Sequence, residues 1–137
     1  MIKKHKTGLL AGSGIDLQKF QPQNTPHTHF TFLMIARLIG DKGVREYAAA
    51  AQIVKQQFPE VVFQLVGSFE KNPTHRLNIR PEEVESWQNA VVYLGVRQDV
   101  RPCIAAADVM VLPSYREGTP RSLLEAAAMA NRCWQPT

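Results

Sequence analysis

The sequence has no long apolar segment and only two cysteines, and each shortage excludes a class of protein. No apolar run approaches the roughly 20 residues that a membrane-spanning helix needs. The basic stretch Met1–Lys6 is not followed by an apolar core, so no secretory signal is predicted. Cys103 and Cys133 lie far apart in segments that we read as helical, and we interpret both as reduced thiols of a cytoplasmic protein.

The excess of positive charge is small and scattered. The formal net charge is +4, with 16 basic and 12 acidic side chains among 137 residues. That excess suits an anionic ligand or an anionic lipid surface, but it lacks the basic stripe expected of a nucleic-acid-binding protein. His27 and His29 form the one close histidine pair, and no carboxylate or cysteine stands near them at metal-ligand spacing. The sequence therefore predicts no metal site and no nucleic-acid partner.

From Phe30 onward, short apolar runs alternate with segments of helical spacing. Residues 1–29 contain several glycines and prolines and are interpreted as a connecting segment with one short strand at 7–10. The remaining chain, 30–137, is interpreted as one partial domain. Its predicted strands are 30–36, 61–66, 91–94 and 108–112, and its predicted helices are 43–58, 81–87, 99–106 (capped by Asp99) and 120–130.

Most of these strands are continuous apolar runs and do not alternate apolar with polar residues. That pattern is typical of parallel strands covered on both faces. With right-handed crossovers, it predicts an α/β protein with a Rossmann-like, doubly wound parallel sheet. Ligands of such sheets bind beyond the carboxyl ends of the strands, so the residues after each strand are the candidate site.

Cations, glycines and a serine recur after the predicted strands. Arg37 and Lys42 flank the first strand-to-helix turn, where two cations can neutralise a diphosphate. Gly67 follows the second strand and allows a close approach of the backbone to a ligand. The alternative, that Arg37 and Lys42 are ordinary solvated side chains, is made less attractive by their paired position at one rim.

The segment 117–125 carries the strongest signal. Glu117 and Gly118 precede a helix, and the backbone N–H groups between Gly118 and Ser122 are placed to bind an anion. Glu125 lies about one and a half turns into that helix among apolar neighbours, where a carboxylate can accept both hydroxyls of a ribose. From the spacing alone, an equally good interpretation is that Glu117 is an ordinary glutamate at the start of a helix and that Glu125 is an ordinary surface residue.

Several motifs in order resemble the retaining glycosyltransferases of family 4. Glu117 and Glu125, separated by seven residues, resemble that family's E-x7-E motif, and Arg37 with Lys42 resembles its diphosphate-binding pair. Gly14-Ile15-Asp16 with Phe20 and Pro22 is similar to the segment where the chain enters the family's second domain, although Ser13 stands where asparagine is commoner. The likeness extends from about Gly12 to Ala130, and the string from Pro113 to Met129 looks closest to bacterial enzymes of capsule, O-antigen or exopolysaccharide synthesis.

The resemblance implies one half of a two-domain GT-B fold, the half that binds a nucleotide sugar, most simply a UDP-sugar. The implied catalytic residues are Arg37, Lys42 and Glu117. The implied donor-binding residues are Gly67, Gly118, Thr119, Pro120, Ser122, Leu123 and Glu125. No cofactor is implied. The expected partners are the donor, an acceptor domain that precedes this one, and a polyprenyl-linked acceptor at the inner face of the membrane.

The end of the chain does not match the resemblance. Residues 131–137 do not look like the glycine-rich turn and further strands with which the family continues. We therefore expect a fragment that is inactive without its acceptor domain. The alternative is a non-catalytic α/β piece with weak or no nucleotide binding. A dinucleotide-binding oxidoreductase is disfavoured, because Gly12 and Gly14 lack a third glycine and a following helix.

Overall fold

The computed structural model describes residues 12–72 and 77–136, which form a five-stranded parallel sheet with helices around it. The strands are β1 (Thr31–Ile35), β2 (Val62–Val66), β3 (Val92–Tyr93), β4 (Val109–Val111) and β5 (Arg132–Trp134). The helices are α1 (Val44–Gln57), α2 (Pro81–Ser86), α3 (Arg101–Ala105) and α4 (Arg121–Ala128), and a 3-10 turn covers Gly40–Lys42. The strand order is β3-β2-β1-β4-β5, which confirms the predicted doubly wound sheet.

Helix α1 shows how the sequence pattern produces one layer of this fold. Its buried residues, Val44, Tyr47, Ala48 and Ala51, recur at the spacing of one helical face. The Tyr47 hydroxyl lies 3.1 Å from the carbonyl oxygen of Phe32 and 3.0 Å from that of Gln64, so it bridges β1 and β2. Burial raises the pKa of Tyr47 far above its usual range. This face fixes α1, and with it the turn that begins the helix, against the centre of the sheet.

The N-terminal segment is attached to the sheet by both apolar and polar contacts. Phe20 is only 7% exposed and belongs to the hydrophobic core. The Asp16 carboxylate accepts the N–H groups of Gln18 and Lys19, which closes the turn leading to Phe20. The His27 ring lies 2.9 Å from the carboxylate of Asp108 at the start of β4. The predicted strand at 7–10 lies outside the described residues.

The fifth strand was not anticipated from the sequence. Arg132, Cys133 and Trp134 pair in parallel with Val109, Met110 and Val111. Every residue of β5 is exposed, because it is an edge strand, so it carries no apolar run of the kind that identified the other strands. The interpretation of Cys133 as helical was therefore wrong, and the thiol lies on this strand.

The remaining boundaries agree with the predicted segments to within about two residues. Helix α3 begins at Arg101, two residues after the predicted cap. Asp99 nevertheless acts on this helix start, since its carboxylate accepts the Arg101 N–H at 3.0 Å. Among residues 12–72 and 77–136, no helix combines the length and the hydropathy that crossing a bilayer would require.

Candidate functional site

The strand order places a crevice between β1 and β4. These strands are neighbours in the sheet, but the chain leaves β1 toward β2 on one side and leaves β4 toward β5 on the other. Such a reversal opens a cleft at the carboxyl ends of the two strands, where doubly wound proteins bind ligands. The two loops that border the cleft are 36–43 and 112–120.

Gly43 allows these two loops to touch. It ends the 3-10 turn with φ at +73°, in the left-handed region, and precedes the first residue of α1. A β-carbon at this position would lie 2.0 Å from the carbonyl oxygen of Pro113, so only glycine fits. The contact brings Lys42 next to the loop that follows β4.

Hydrogen bonds then fix the relative position of the two loops. The backbone N–H of Tyr115 donates to the Asp41 carbonyl at 2.9 Å, and the buried Ser114 hydroxyl lies 3.1 Å from the same oxygen. The Tyr115 hydroxyl donates to the Glu46 carboxylate at 2.7 Å, and this bond raises the pKa of Tyr115. The loop that carries Glu117 is thus bonded to both the 3-10 turn and α1.

Lys42 and Glu117 form an ion pair across the cleft. The ammonium nitrogen lies 2.5 Å from a carboxylate oxygen of Glu117. The Lys42 side chain is 21% exposed and that of Glu117 is 13% exposed, so both charges are mostly withdrawn from water. The Lys42 ammonium is stabilised by the Glu117 carboxylate. Because water is largely excluded, its interaction with a charged ligand would be stronger than at an exposed position.

A small cavity of about 160 Å³ lies at this ion pair. Its floor comes from the ends of β1 and β4, and its side from the first turn of α4. No side chain in the described part of the chain caps that helix, whose N-cap residue is Pro120. The first turn of α4 thus borders the cavity, and its first N–H groups have no side-chain acceptor. The lining residues are Ile35, Ala36, Lys42, Leu112, Glu117, Pro120, Arg121 and Ser122.

Glu125 lies one turn deeper along α4 and does not line the cavity. Its side chain is 14% exposed, and the nearest cation is Arg121, whose guanidinium is 4.0 Å away. Burial raises the pKa of Glu125, and the charges of Arg121 and Lys19 oppose that rise only in part. This carboxyl is therefore a partly buried acceptor beside the cleft, as its apolar neighbours in the sequence indicated.

Arg37 does not join Lys42 at the cavity. Its side chain is 64% exposed, and the guanidinium lies 3.6 Å from the Glu70 carboxylate at the edge of the site. Gly67 is required by packing, because a β-carbon there would lie 1.8 Å from the Ala36 carbonyl oxygen. The structure therefore gathers Lys42, Glu117, Pro120 and Ser122 into one cavity and leaves Arg37 at its rim.

The other residues of the 118–123 segment have different surroundings. Gly118 is exposed and lines a wider crevice, of about 800 Å³, between the 113–118 loop and the end of β5. Thr119 is also exposed, and its hydroxyl would lie 3.1 Å from a β-carbon on Gly12. Leu123 is 9% exposed and belongs to the hydrophobic core.

Sequence reasoning did not single out Asp41, Ser114 or Tyr115, although they join the two loops. The only available signal was their position soon after β1 and β4, because the contacts of Ser114 and Tyr115 are made across 73 and 69 residues of chain. His27 binds the Thr25 carbonyl and Asp108 and is part of no metal cluster within the described residues.

Comparison with known sequences places this geometry in a family context. The family described as glycosyl transferases group 1 matches residues 29–133. The chain is 35% identical to the N,N'-diacetylbacillosaminyl-diphospho-undecaprenol alpha-1,3-N-acetylgalactosaminyltransferase of Campylobacter jejuni, over 93% of the chain. It is 30% identical to the UDP-Gal:alpha-D-GlcNAc-diphosphoundecaprenol alpha-1,3-galactosyltransferase of Escherichia coli, over 88% of the chain. It spans 35% and 34% of the lengths of these two relatives.

Comparison with solved structures gives the same fold. The C-terminal domain of a glycosyl transferase group 1 family protein from Francisella tularensis superposes with a TM-score of 0.70 at 20% sequence identity. The match covers 89% of this chain and 70% of that domain. At this level of identity the likeness concerns the fold alone.

Proposed function

Because the chain belongs to the group 1 glycosyl transferases, we propose that it is the part of such an enzyme that binds the nucleotide diphosphate of a sugar donor. The observation that carries the proposal is the cavity at the β1–β4 reversal, where a shielded lysine and an uncapped helix N-terminus meet. Both groups attract anions, and their convergence favours phosphate over a neutral ligand.

The proposed domain organisation follows from lengths and boundaries. Residues 30–137 would form most of a C-terminal, donor-binding domain of the GT-B type, and residues 1–29 would lead into it. The likeness to a separately solved C-terminal domain supports this assignment, as does a chain that spans about a third of its relatives' lengths. The acceptor would then be held by a preceding domain.

The proposed chemistry is electrostatic stabilisation of the leaving diphosphate. As the bond to the anomeric carbon breaks, negative charge grows on the diphosphate, and fixed positive groups lower the energy of that state. Lys42 and the first N–H groups of α4, from Arg121 to Leu123, are placed for this role. Arg37 lies at the rim with a long exposed side chain, from where it would close on the phosphates. We propose that the sugar is transferred with retention.

The two glutamates would serve different parts of the donor. Glu125, partly buried beside the cleft, would accept the ribose hydroxyls, which supply the hydrogen bonds that a buried carboxylate needs. Glu117 would contact the sugar from the mouth of the cavity. Backbone groups of the turn Gly118-Thr119-Pro120 and of Ser122 would complete the donor site.

The proposed substrates are those that the names of the two relatives describe. The E. coli relative is named for UDP-galactose, so a UDP-sugar is the proposed donor. Both relatives are named for undecaprenol-diphosphate-linked sugars, so a polyprenyl-linked saccharide is the proposed acceptor. We place the parent enzyme in bacterial surface polysaccharide synthesis, in the cytoplasm at the inner face of the membrane.

Calorimetric titration of the chain with UDP tests the donor site. Replacing Lys42 by methionine removes a shielded cation and should weaken UDP binding about tenfold or more. Glu125→Gln should weaken it by a smaller factor. Lys55→Met is the matched control, since Lys55 carries the same charge about 20 Å away, at the far end of α1. Equal affinity of the wild type, the Lys42 variant and the Glu125 variant would exclude the assigned site.

A further inference from the structure

The cation that a diphosphate would meet in this cavity is already paired with a carboxylate. Lys42 and Glu117 both line the cavity, and their charged atoms are 2.5 Å apart. An ammonium group has three N–H donors, so Lys42 can bind phosphate oxygens while it keeps its bond to Glu117. The Glu117 charge would then lie within a few ångströms of the phosphate charge.

The backbone prevents Glu117 from moving far from this position. Gly43 touches the Pro113 carbonyl, and Tyr115 and Ser114 are bonded to Asp41. Glu117 follows this bonded stretch by two residues. A change of side-chain rotamer is therefore the cheapest way to separate Glu117 from Lys42, and it would expose one charge of the pair without its partner.

The other charges at the cavity leave it close to electrically balanced. Arg121 also lines the cavity, with a side chain 66% exposed, and its guanidinium is paired at 4.0 Å with Glu125. With Glu125, which lies outside the cavity lining as the partner of Arg121, this group contains two cations and two carboxylates. Removal of the Glu117 charge would convert this balanced group into one with an excess positive charge beside the uncapped start of α4.

We propose that Glu117 acts as an internal competitor that holds down the affinity of the cavity for nucleoside diphosphates. This inference rests on the proposed donor-binding function and adds a role for Glu117 that does not require contact with the sugar. The carboxylate occupies one donor of Lys42 and repels the phosphates, so a nucleoside diphosphate left in the cavity dissociates more easily. Release of that product would be faster than a site with an unopposed lysine allows.

The test is calorimetry of the 137-residue chain with inorganic pyrophosphate and with UDP, in buffer free of divalent cations. Glu117→Gln keeps the side-chain shape and removes the charge, and it should bind both ligands roughly tenfold more tightly than the wild type. Glu60→Gln removes the same charge from an exposed turn after α1 and should bind as the wild type does. In the double variant Lys42→Met/Glu117→Gln the gain should disappear.

Each result separates this inference from the proposed function. Equal or weaker binding by a folded Glu117→Gln variant, with UDP still bound by the wild type, overturns the competitor role and leaves the donor site standing. Tighter binding that persists in the double variant also overturns it, since the gain would not depend on Lys42. Failure of every variant to bind either ligand overturns both the competitor role and the donor site.

Discussion

The carbonyl oxygen of Pro113 lies 2.0 Å from the point where a β-carbon on Gly43 would stand. This approach joins the loop after β1 to the loop after β4, although 70 residues separate the two positions in sequence. It brings Lys42 close to Glu117, because Lys42 directly precedes Gly43 and Glu117 follows Pro113 by four residues. The geometry of the candidate site therefore depends on a residue that has no side chain.

Replacing Gly43 by alanine should disrupt both stability and binding. The new methyl group would force the two loops apart, in addition to the cost of a positive φ, and the free energy of unfolding should fall by about 3 kcal/mol or more. UDP binding should be lost in parallel. Urea unfolding and calorimetry measure the two effects.

Gly95→Ala is the matched control for this variant. Gly95 has φ at +74°, the same conformation as Gly43, but a β-carbon there would have nothing within 4 Å. Gly95→Ala should lower the free energy of unfolding by about 1 kcal/mol, because only the unfavourable backbone conformation contributes. A similar loss in both variants would show that the contact with Pro113 does not matter.

The contact between His27 and Asp108 should make stability depend on pH. Hydrogen bonds to the Thr25 carbonyl and to the Asp108 carboxylate raise the pKa of His27 above its usual 6.5. The folded state then binds the proton more tightly than the unfolded chain. The stabilisation is complete below pH 6.5 and is lost as the pH rises through the higher pKa of the folded state.

Unfolding midpoints of the wild type and His27→Gln should therefore differ most below pH 6.5 and converge as the pH rises through the raised pKa of His27. His29→Gln is the control, because the His29 ring contacts the neighbouring Thr28 hydroxyl and forms no ion pair with a carboxylate of residues 12–72 or 77–136. A difference between wild type and His27→Gln that is constant with pH would contradict the assigned charge contact.

The end of α4 offers a stabilising substitution. Ala130 has φ at +64°, in the left-handed region, and the next N–H, of Asn131, donates to the Ala126 carbonyl at 2.9 Å. Glycine is the residue that this helix ending favours. Ala130→Gly should raise the free energy of unfolding by about 0.5–1 kcal/mol, once the greater freedom of glycine in the unfolded chain is subtracted.

The same substitution at Ala127 should have the opposite sign. Ala127 is exposed and lies inside α4, where glycine costs about 1 kcal/mol relative to alanine. Chemical unfolding of the two variants side by side measures the contrast. Destabilisation by both would show that the strain at Ala130 is smaller than the entropy that glycine adds.

The sequence predicted those parts of the fold whose signal is local. The four apolar strands and the helices between them follow from periodicity, and parallel pairing follows from strands without alternation. Strand β5 was missed because it lies at an edge, where exposure removes the apolar signal and only hydrogen bonding to β4 defines it. Its position in the sheet depends on tertiary contacts, which residues 132–134 alone do not predict.

The sequence likewise predicted only part of the candidate site. Lys42, Glu117 and Ser122 could be placed at one rim from the order of strands and loops. The separation of Arg37 from Lys42 could not, because both follow β1 and only the side-chain directions, toward Glu70 or toward Glu117, distinguish them. The bonds from Ser114 and Tyr115 to Asp41 were equally hidden, since they depend on the Gly43 contact.

Phe20 should contribute strongly to the stability of the sheet. It is 7% exposed, and Phe20→Ala would leave a cavity, at a cost of about 3 kcal/mol or more in the free energy of unfolding. Leu17→Ala, at a residue that is 67% exposed, should change stability by less than about 0.5 kcal/mol. Equal small effects in urea unfolding would show that the segment before β1 is not part of the cooperative unit.

The anchoring of Phe20 also has a mechanical consequence. Phe20 is buried in the hydrophobic core, so it attaches the segment before β1 to the sheet at that point. Arg101 adds a second attachment, through a bond of 3.5 Å to the Lys19 carbonyl. Lys19 and Phe20 therefore hold the connecting segment against the start of α3 and against the core well before β1 begins.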